Sequence, residues 1–311
     1  LLGLAAWNLA AALWDLASGK CLADGSVANE QRRFGDNVLA RIDHAVSLGG
    51  SSPELQRALV LESLLPLVER LCHQAAITPE SITESYAAGN TVMQHGLAGA
   101  SLKGFSSFPF CPEFVDTVRL SAAGLGFPFD FPIDLAPSLG AFVGGDIAVG
   151  ALAAGMLEDP GPALLIDFGT NGEILLKAGD RFLATATAAG PAFEGGRLSC
   201  GSPAGRQVIS ALSREDGTWH YRLSHPESGR PSGISGAAYV DGIALAREAG
   251  ILNPMGRLDP AHPETRTVTG EAGDSEKRLY LTRTLYISEA DVAELIQAKA
   301  EQQKIWDMIF F

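Results

Sequence analysis

Apolar positions in the first thirty residues fall into short runs separated by the break "AWN" and the turn "ASGK", and the third run is "CLADGSVA", with Gly19 suited to the turn. This spacing predicts a three-stranded meander. Residues 163 to 189 repeat the plan with "ALLI", the loop "DFGTNGE", "ILLKA", the turn "GDR" and "FLATATAA". Two meanders of one layout predict a duplicated fold with a β-based core in each half, divided as residues 1–157 and 158–311.

Between the meanders the period lengthens. "SSPELQRALVLESLLPLVERLCHQAA" has Ser51 or Ser52 placed to cap a helix, Pro53 in its first turn, apolar residues at helical spacing and Pro66 as a candidate kink. "ITESYAAG" predicts a strand leading into "NTVMQHGLAGA", where Asn90 or Thr91 is placed to cap a short helix. "FSSFPFCPEFVDTV" reads as a packed loop, and "VGGDIAVGALAAGM" as a small-residue helix able to cross between the halves. Further on come a glycine-rich entry at "GSPAGRQVISAL", a polar hairpin at Asp216 and Gly217, and an amphipathic helix ending near Gly250. "LDPAHPETRTVTGEAGDSEKRL" reads as a surface loop, and Ser288 with Asp291 as a capping box opening a long last helix.

Bulk properties narrow the class. With 311 residues and 46% hydrophobic composition, the chain has core enough for two globular domains. Its net charge of −13 repels nucleic acid and anionic lipid. The apolar opening is interrupted by Asn8 and Asp15 too soon for a membrane span. Cys21, Cys72, Cys111 and Cys200 are scattered without a CxxC pair, which argues against a zinc or iron–sulfur site and suits a reducing cytoplasm. Because the chain opens on Leu1 rather than Met, it is expected to be part of a longer product.

The loop "DFGTNGE" carries the candidate chemistry. Gly169 and Gly172 are expected to bare backbone N–H groups as an anion nest, with Thr170 and Asn171 as added donors. Asp167 can reach a divalent cation bridging phosphate oxygens, and Glu173 can orient water. The plain alternative is a hairpin whose Asp, Gly and Asn serve only the turn. Glu194 is the acid of a second glycine-rich run, "AAGPAFEGGRLSCGSPAG". "AAGNT" and "VGGDIAVG" open helices whose N-termini favour anions, although Asp146 serves equally well as a first-turn acid.

Together "IDFGTNGEI", "ATATAAGPAFEGGRLSCG", "AAGNTVMQH", "RRFGDNVLARI" and "VGGDIAVGALAAGM" resemble the C-terminal ATPase-like domain of the reductive activators of corrinoid proteins, within the acetate and sugar kinase/Hsp70/actin superfamily. The resemblance implies an α/β fold of two ribonuclease-H-like subdomains facing a nucleotide cleft. It implies use of ATP and Mg²⁺ to help return a Co(II) corrinoid protein, or a corrinoid-dependent methyltransferase, to Co(I). An iron–sulfur cluster is expected only in a separate N-terminal domain, and a homodimer is suggested. Carried over by position, Asp167, Gly169, Thr170, Asn171 and Gly172 match the second phosphate motif, with Asp167 as metal ligand and Glu173 beside it. Glu194 and Gly195 fit the adjoining loop, Asn90 and Thr91 the "GNT" turn, and Gly145 and Asp146 the start of the interdomain helix. His95 falls where the family also has a histidine, and its plain reading is a packed side chain.

The first meander departs from the family. Where an Asp-x-Gly-Thr-Thr-type loop is expected, the chain reads "GLAAWN", leaving Asn8 as the side-chain donor. The late adenosine loop of the family does not occur before Phe311, and the tail "EQQKIWDMIFF" also departs. The nucleotide site is therefore expected to be incomplete, through truncation or loss. An activator domain is the leading expectation. The alternatives are a non-catalytic module that binds the corrinoid protein and a small-molecule kinase of the same superfamily.

Overall fold

The computed structural model describes residues 1–35, 37–203, 205–225, 229–269 and 275–310, apart from the side chains of 302 and 304–310. Asp36 of "RRFGDNVLARI", the centre of the polar stretch near residue 272 and most side chains of the tail lie outside the described residues. The fold is mixed α/β, in two compact units: Leu1–Asp167 with Gly172–Ala186, and Phe168–Asn171 with Thr187–Phe311.

In the first unit, β1 (Leu2–Leu4), β2 (Asn8–Asp15) and β3 (Lys20–Ala28) form the expected meander, with Gly19 at φ 67° in its second turn. Alternation turns Leu2 and Leu4 inward, opposite Ala11 and Leu9 of β2. Helices α1 (Val38–Ser47), α2 (Pro53–Leu59) and α3 (Leu65–Ala75) follow, and α3 packs on β2 and β3. Ser52 caps α2, its Oγ accepting from the Leu55 N–H at 3.3 Å. Pro66 falls in the first turn of α3, after a π-helical turn at Val60–Leu64 that resets the hydrogen-bond register. Leu59, Leu64 and Leu67 are fully buried here, each stabilising the unit by about 2 kcal/mol.

Strand β4 (Ser85–Gly89) runs parallel to β1 and leads into α4 (Thr91–Ala98). Adding β5 (Val118–Ser121) and β6 (Pro132–Leu135) completes a six-stranded sheet in the order β3-β2-β1-β4-β6-β5. The phenylalanine-rich segment before β5 is packed only in part: Phe105 is buried and Phe114 stacks on His95, whereas Phe108 is 87% exposed. Then come α5 (Gly145–Ala153) and a three-stranded sheet of β7 (Ala163–Phe168), β8 (Asn171–Ala178) and β9 (Arg181–Ala188). Leu175 of β8 packs with Val143, Ile147, Ala151 and Met156. These strands are longer than the sequence predicts. Asp167 lies in β7 and Asn171 to Glu173 lie in β8, so the connecting loop is only Gly169 and Thr170.

The second unit contains a hairpin of β10 (Val208–Glu215) and β11 (Thr218–Leu223), turning at Asp216 (φ 47°) and Gly217 (φ 81°). Strand β12 (Gly233–Ile234) joins β10 in parallel and feeds α6 (Gly236–Glu248), which ends before Gly250 at φ 73°. The stretch read as a surface loop instead supplies β13 (Thr265–Thr269) and β14 (Ser275–Tyr280), which form an antiparallel sheet with β15 (Tyr286–Ser288). The last helix, α7 (Glu289–Phe310), opens on the expected capping box: Asp291 Oδ2 accepts from the Ser288 N–H, and Ser288 Oγ from the Asp291 N–H. No described helix is long and apolar enough to cross a membrane.

Candidate functional site

Helices α4 and α5 begin side by side in the first unit. A Cβ on Gly144 would lie 2.1 Å from the Gly89 oxygen, and one on Gly145 would lie 2.5 Å from Gln94 Nε2, so only glycines allow this approach. Asn90 caps α4 by accepting from the Val92 N–H at 3.0 Å, and its Nδ2 donates to the Phe142 carbonyl at 2.9 Å. Thr91, fully buried, donates to the Gly140 carbonyl at 2.6 Å. The side chains of Asn90 and Thr91 are thus committed to holding the segment that enters α5.

That segment delivers Asp146 to the first turn of α5, where a carboxylate oxygen accepts from the Ile147 N–H at 3.0 Å. Burial raises its pKa to about 6, against the lowering effect of the Ile147 bond, and the negative charge of Asp167 raises it further. Asp167 stands at an exposed position in β7, and desolvation by the surrounding protein lifts its carboxyl above the ordinary aspartate range. The charge of Asp167 opposes ionisation of Asp146, and neither forms an ion pair among the described residues, so a divalent cation would relieve the cost. No group of three or more His, Cys, Asp or Glu side chains suited to a metal occurs among the described residues. Such a pair suits Mg²⁺, which takes one or two carboxylates and fills its shell with water and phosphate oxygens.

The face of β8 that carries Leu175 also carries Glu173 and Lys177, both buried. Lys177 donates to the carbonyls of Met156 at 2.9 Å, Leu157 at 3.2 Å and Asp159, so all three ammonium protons have acceptors. It fixes the turn after α5. Nothing in the sequence pattern marked it, since one lysine near the end of "ILLKA" reads as a solvated strand end.

At the hairpin tip, in the second unit, donors of Gly169 and Thr170 are already engaged. Gly169 donates to the Asn171 carbonyl at 3.1 Å. Thr170 is buried, and both its N–H and its hydroxyl donate to one oxygen of Glu194, each at 2.6 Å. The Thr170 carbonyl accepts from Ala189 at 3.1 Å and Gly190 at 2.9 Å. Left-handed backbone occurs at Gly190 (φ 84°) and Gly195 (φ 82°), the two ends of the turn that carries Glu194. Phe168 packs on Phe193 beside it, with ring centroids 5.4 Å apart.

The first loop follows a different plan. The carbonyls of Ala5, Ala6 and Trp7 accept from Asn29 Nδ2 (3.2 Å), Arg41 (2.6 Å) and the Asn29 N–H (3.0 Å), and Arg32 lies over the Trp7 ring. Arg41 is 2% exposed and also donates to the Gly35 carbonyl and to Gln31. Asn8 Oδ1 is buried without a hydrogen-bond partner among the described residues. His95 is a packed side chain: Nδ1 pairs with the Thr91 carbonyl at 2.8 Å, and Nε2 accepts from the Glu113 and Phe114 N–H groups. Burial holds its pKa below the usual histidine value.

Comparison with known proteins accounts for nearly the whole chain. Residues 4–159 match the family model of the RACo middle region, and residues 161–309 match that of the C-terminal domain of RACo, the ASKHA domain. The corrinoid activation enzyme RamQ of Eubacterium limosum is 30% identical over 79% of this chain and 41% of its own length. The [Co(II) methylated amine-specific corrinoid protein] reductase of Methanosarcina barkeri is 29% identical over 39% of this chain and 26% of its own. Among solved structures, a reductive activator for corrinoid, iron–sulfur protein superposes with a TM-score of 0.87 at 29% identity, covering 99% of this chain and 51% of that one. This chain therefore spans about half or less of the length of these relatives. With consecutive matches to the middle region and the ASKHA domain, it belongs to the family of reductive activators of corrinoid proteins.

Proposed function

We propose that this chain is the nucleotide-using part of a reductive activator, coupling ATP to the return of a Co(II) corrinoid protein to Co(I) in a methyltransferase system. The observation that carries the reading is the match of 99% of the chain to a reductive activator for a corrinoid, iron–sulfur protein. The names of the two sequence relatives point to the same partner class. The family matches meet between residues 159 and 161, which supports a division of the chain near residue 158. The free cysteines Cys21, Cys72, Cys111 and Cys200 are dispersed along this chain, so in this reading the electron is stored on an iron–sulfur cluster outside them.

In this reading Asp167, assisted by Asp146, holds Mg²⁺, which neutralises charge on phosphate oxygens. Gly169, Thr170, Asn171 and Gly172 border the phosphates, and Glu173 orients water. Asn90, Thr91 and Gly145 act by positioning the start of α5. The test combines the protein with a corrinoid methyltransferase subunit, Mg²⁺-ATP and titanium(III) citrate. An ATP-dependent rise in Co(I) absorbance, lost in Asp167→Asn, is expected. No complex and no gain in Co(I) refutes the proposal.

One observation favours a second reading, a docking module without ATPase activity. The first loop directs carbonyls at Arg41 and Asn29 in place of phosphate donors. Calorimetry and phosphate release separate the two readings, since Mg²⁺-ATP binding and turnover that both disappear in Asp167→Ala exclude the inert module.

A further inference from the structure

We infer that Glu194 is an internal substitute for nucleotide phosphate, a carboxylate latch that closes the second phosphate loop until ATP displaces it. The inference rests on the nucleotide reading above. One oxygen of Glu194 accepts from both the N–H and the hydroxyl of Thr170 at 2.6 Å, the short geometry of charge-assisted bonds. Thr170 is one of the donors that the sequence motif assigns to phosphate, and one anionic oxygen takes both its N–H and its hydroxyl. Among the described residues the carboxylate is held by these Thr170 donors and by no ion pair.

The surroundings determine how the latch opens. The turn Pro191–Glu194 is held by the Gly195 N–H on the Ala192 carbonyl (3.0 Å) and the Gly196 N–H on the Pro191 carbonyl (2.8 Å). A Cβ on Gly195 would stand 2.7 Å from the Ser202 carbonyl oxygen, so the backbone at this end is hemmed in. Release therefore occurs by rotation of the glutamate side chain. Thr170 keeps its place, because Ala189 and Gly190 hold its carbonyl. What rotation exposes is a preorganised pair of donors.

This predicts a sign that a plain positioning role does not. Glu194→Gln keeps an acceptor for Thr170 but removes the charge that competes with phosphate, so Mg²⁺-ATP binding measured by calorimetry should tighten about tenfold. Binding gained only by the variant supports the latch equally. Equal or weaker binding by the variant, with the wild type binding, overturns the latch and leaves the nucleotide reading standing. If neither form binds, both fall. The wild type gives an independent test should the variant not fold: a structure with an Mg²⁺-bound ATP analogue must show Glu194 out of hydrogen-bond reach of Thr170. Finding the pair intact beside bound nucleotide overturns the latch.

Discussion

Replacing Asp146 with Asn should stabilise the metal-free protein, by an amount that grows with pH. Burial, assisted by Asp167, raises the Asp146 pKa from 3.8 to about 6. In the native state the carboxyl keeps its proton through a range where the unfolded chain has lost it, so the native state binds more protons there. Stability then falls as pH rises, from about pH 4 until the folded carboxyl has ionised near pH 7. At 1.36 kcal/mol per pKa unit, the accumulated penalty is about 3 kcal/mol at pH 8 and about half that at pH 5. Asparagine removes the ionisation and keeps an oxygen for the Ile147 N–H. Urea unfolding in EDTA at pH 5 and pH 8 should therefore show the gain from Asp146→Asn doubling across the interval. Added Mg²⁺ should stabilise the wild type at pH 8 and reverse the ranking. A gain that is flat with pH, or no gain, refutes the assignment of a buried, charge-opposed carboxyl.

Four further substitutions test the framework of the first unit. Lys177→Met leaves the carbonyls of Met156, Leu157 and Asp159 without their donor and should cost about 3 kcal/mol or more in urea unfolding. Gly144→Ala forces a Cβ to 2.1 Å from the Gly89 oxygen and should lower stability by about 3 kcal/mol, whereas Gly140→Ala, with open space around it, should be nearly neutral. His95 is held below the usual histidine pKa by burial, so the unfolded chain binds its proton first as pH falls and stability is lost below about pH 6.5. In His95→Gln that acid-side loss should flatten, as seen by comparing urea midpoints at pH 5 and pH 7.5.

Hydrophobic alternation made the strands of both meanders legible, because Leu2, Leu4 and Leu9 bury on one face and polar residues interrupt the runs at the turns. Caps were legible where a side chain serves its own helix, as at Ser52 and at Ser288 with Asp291. The sheet containing β13 and β14 escaped for the opposite reason. Its pairs, such as Thr265 with Leu279 and Thr267 with Lys277, carry β-propensity in threonine with little apolar signal. In the hairpin, Asp167 and Asn171 read as loop because they are turn residues by type, yet the ladder extends through both. The Glu194 to Thr170 contact spans 24 residues, and no local pattern announces it.

The motif residues divide by what the fold asks of them. Asn90, Thr91 and Gly144 are consumed by the structure, because each satisfies a backbone group or allows a backbone approach that another residue would prevent. Asp146, Asp167 and Glu194 are different. Asparagine at 146 and glutamine at 194 would offer the same acceptors to Ile147 and Thr170, and Asp167 adds to the cost of ionising Asp146. Folding alone gives no reason for these three side chains to be carboxyls rather than amides. A cation at the aspartates would use two of them, and an anion competing with the glutamate would use the third.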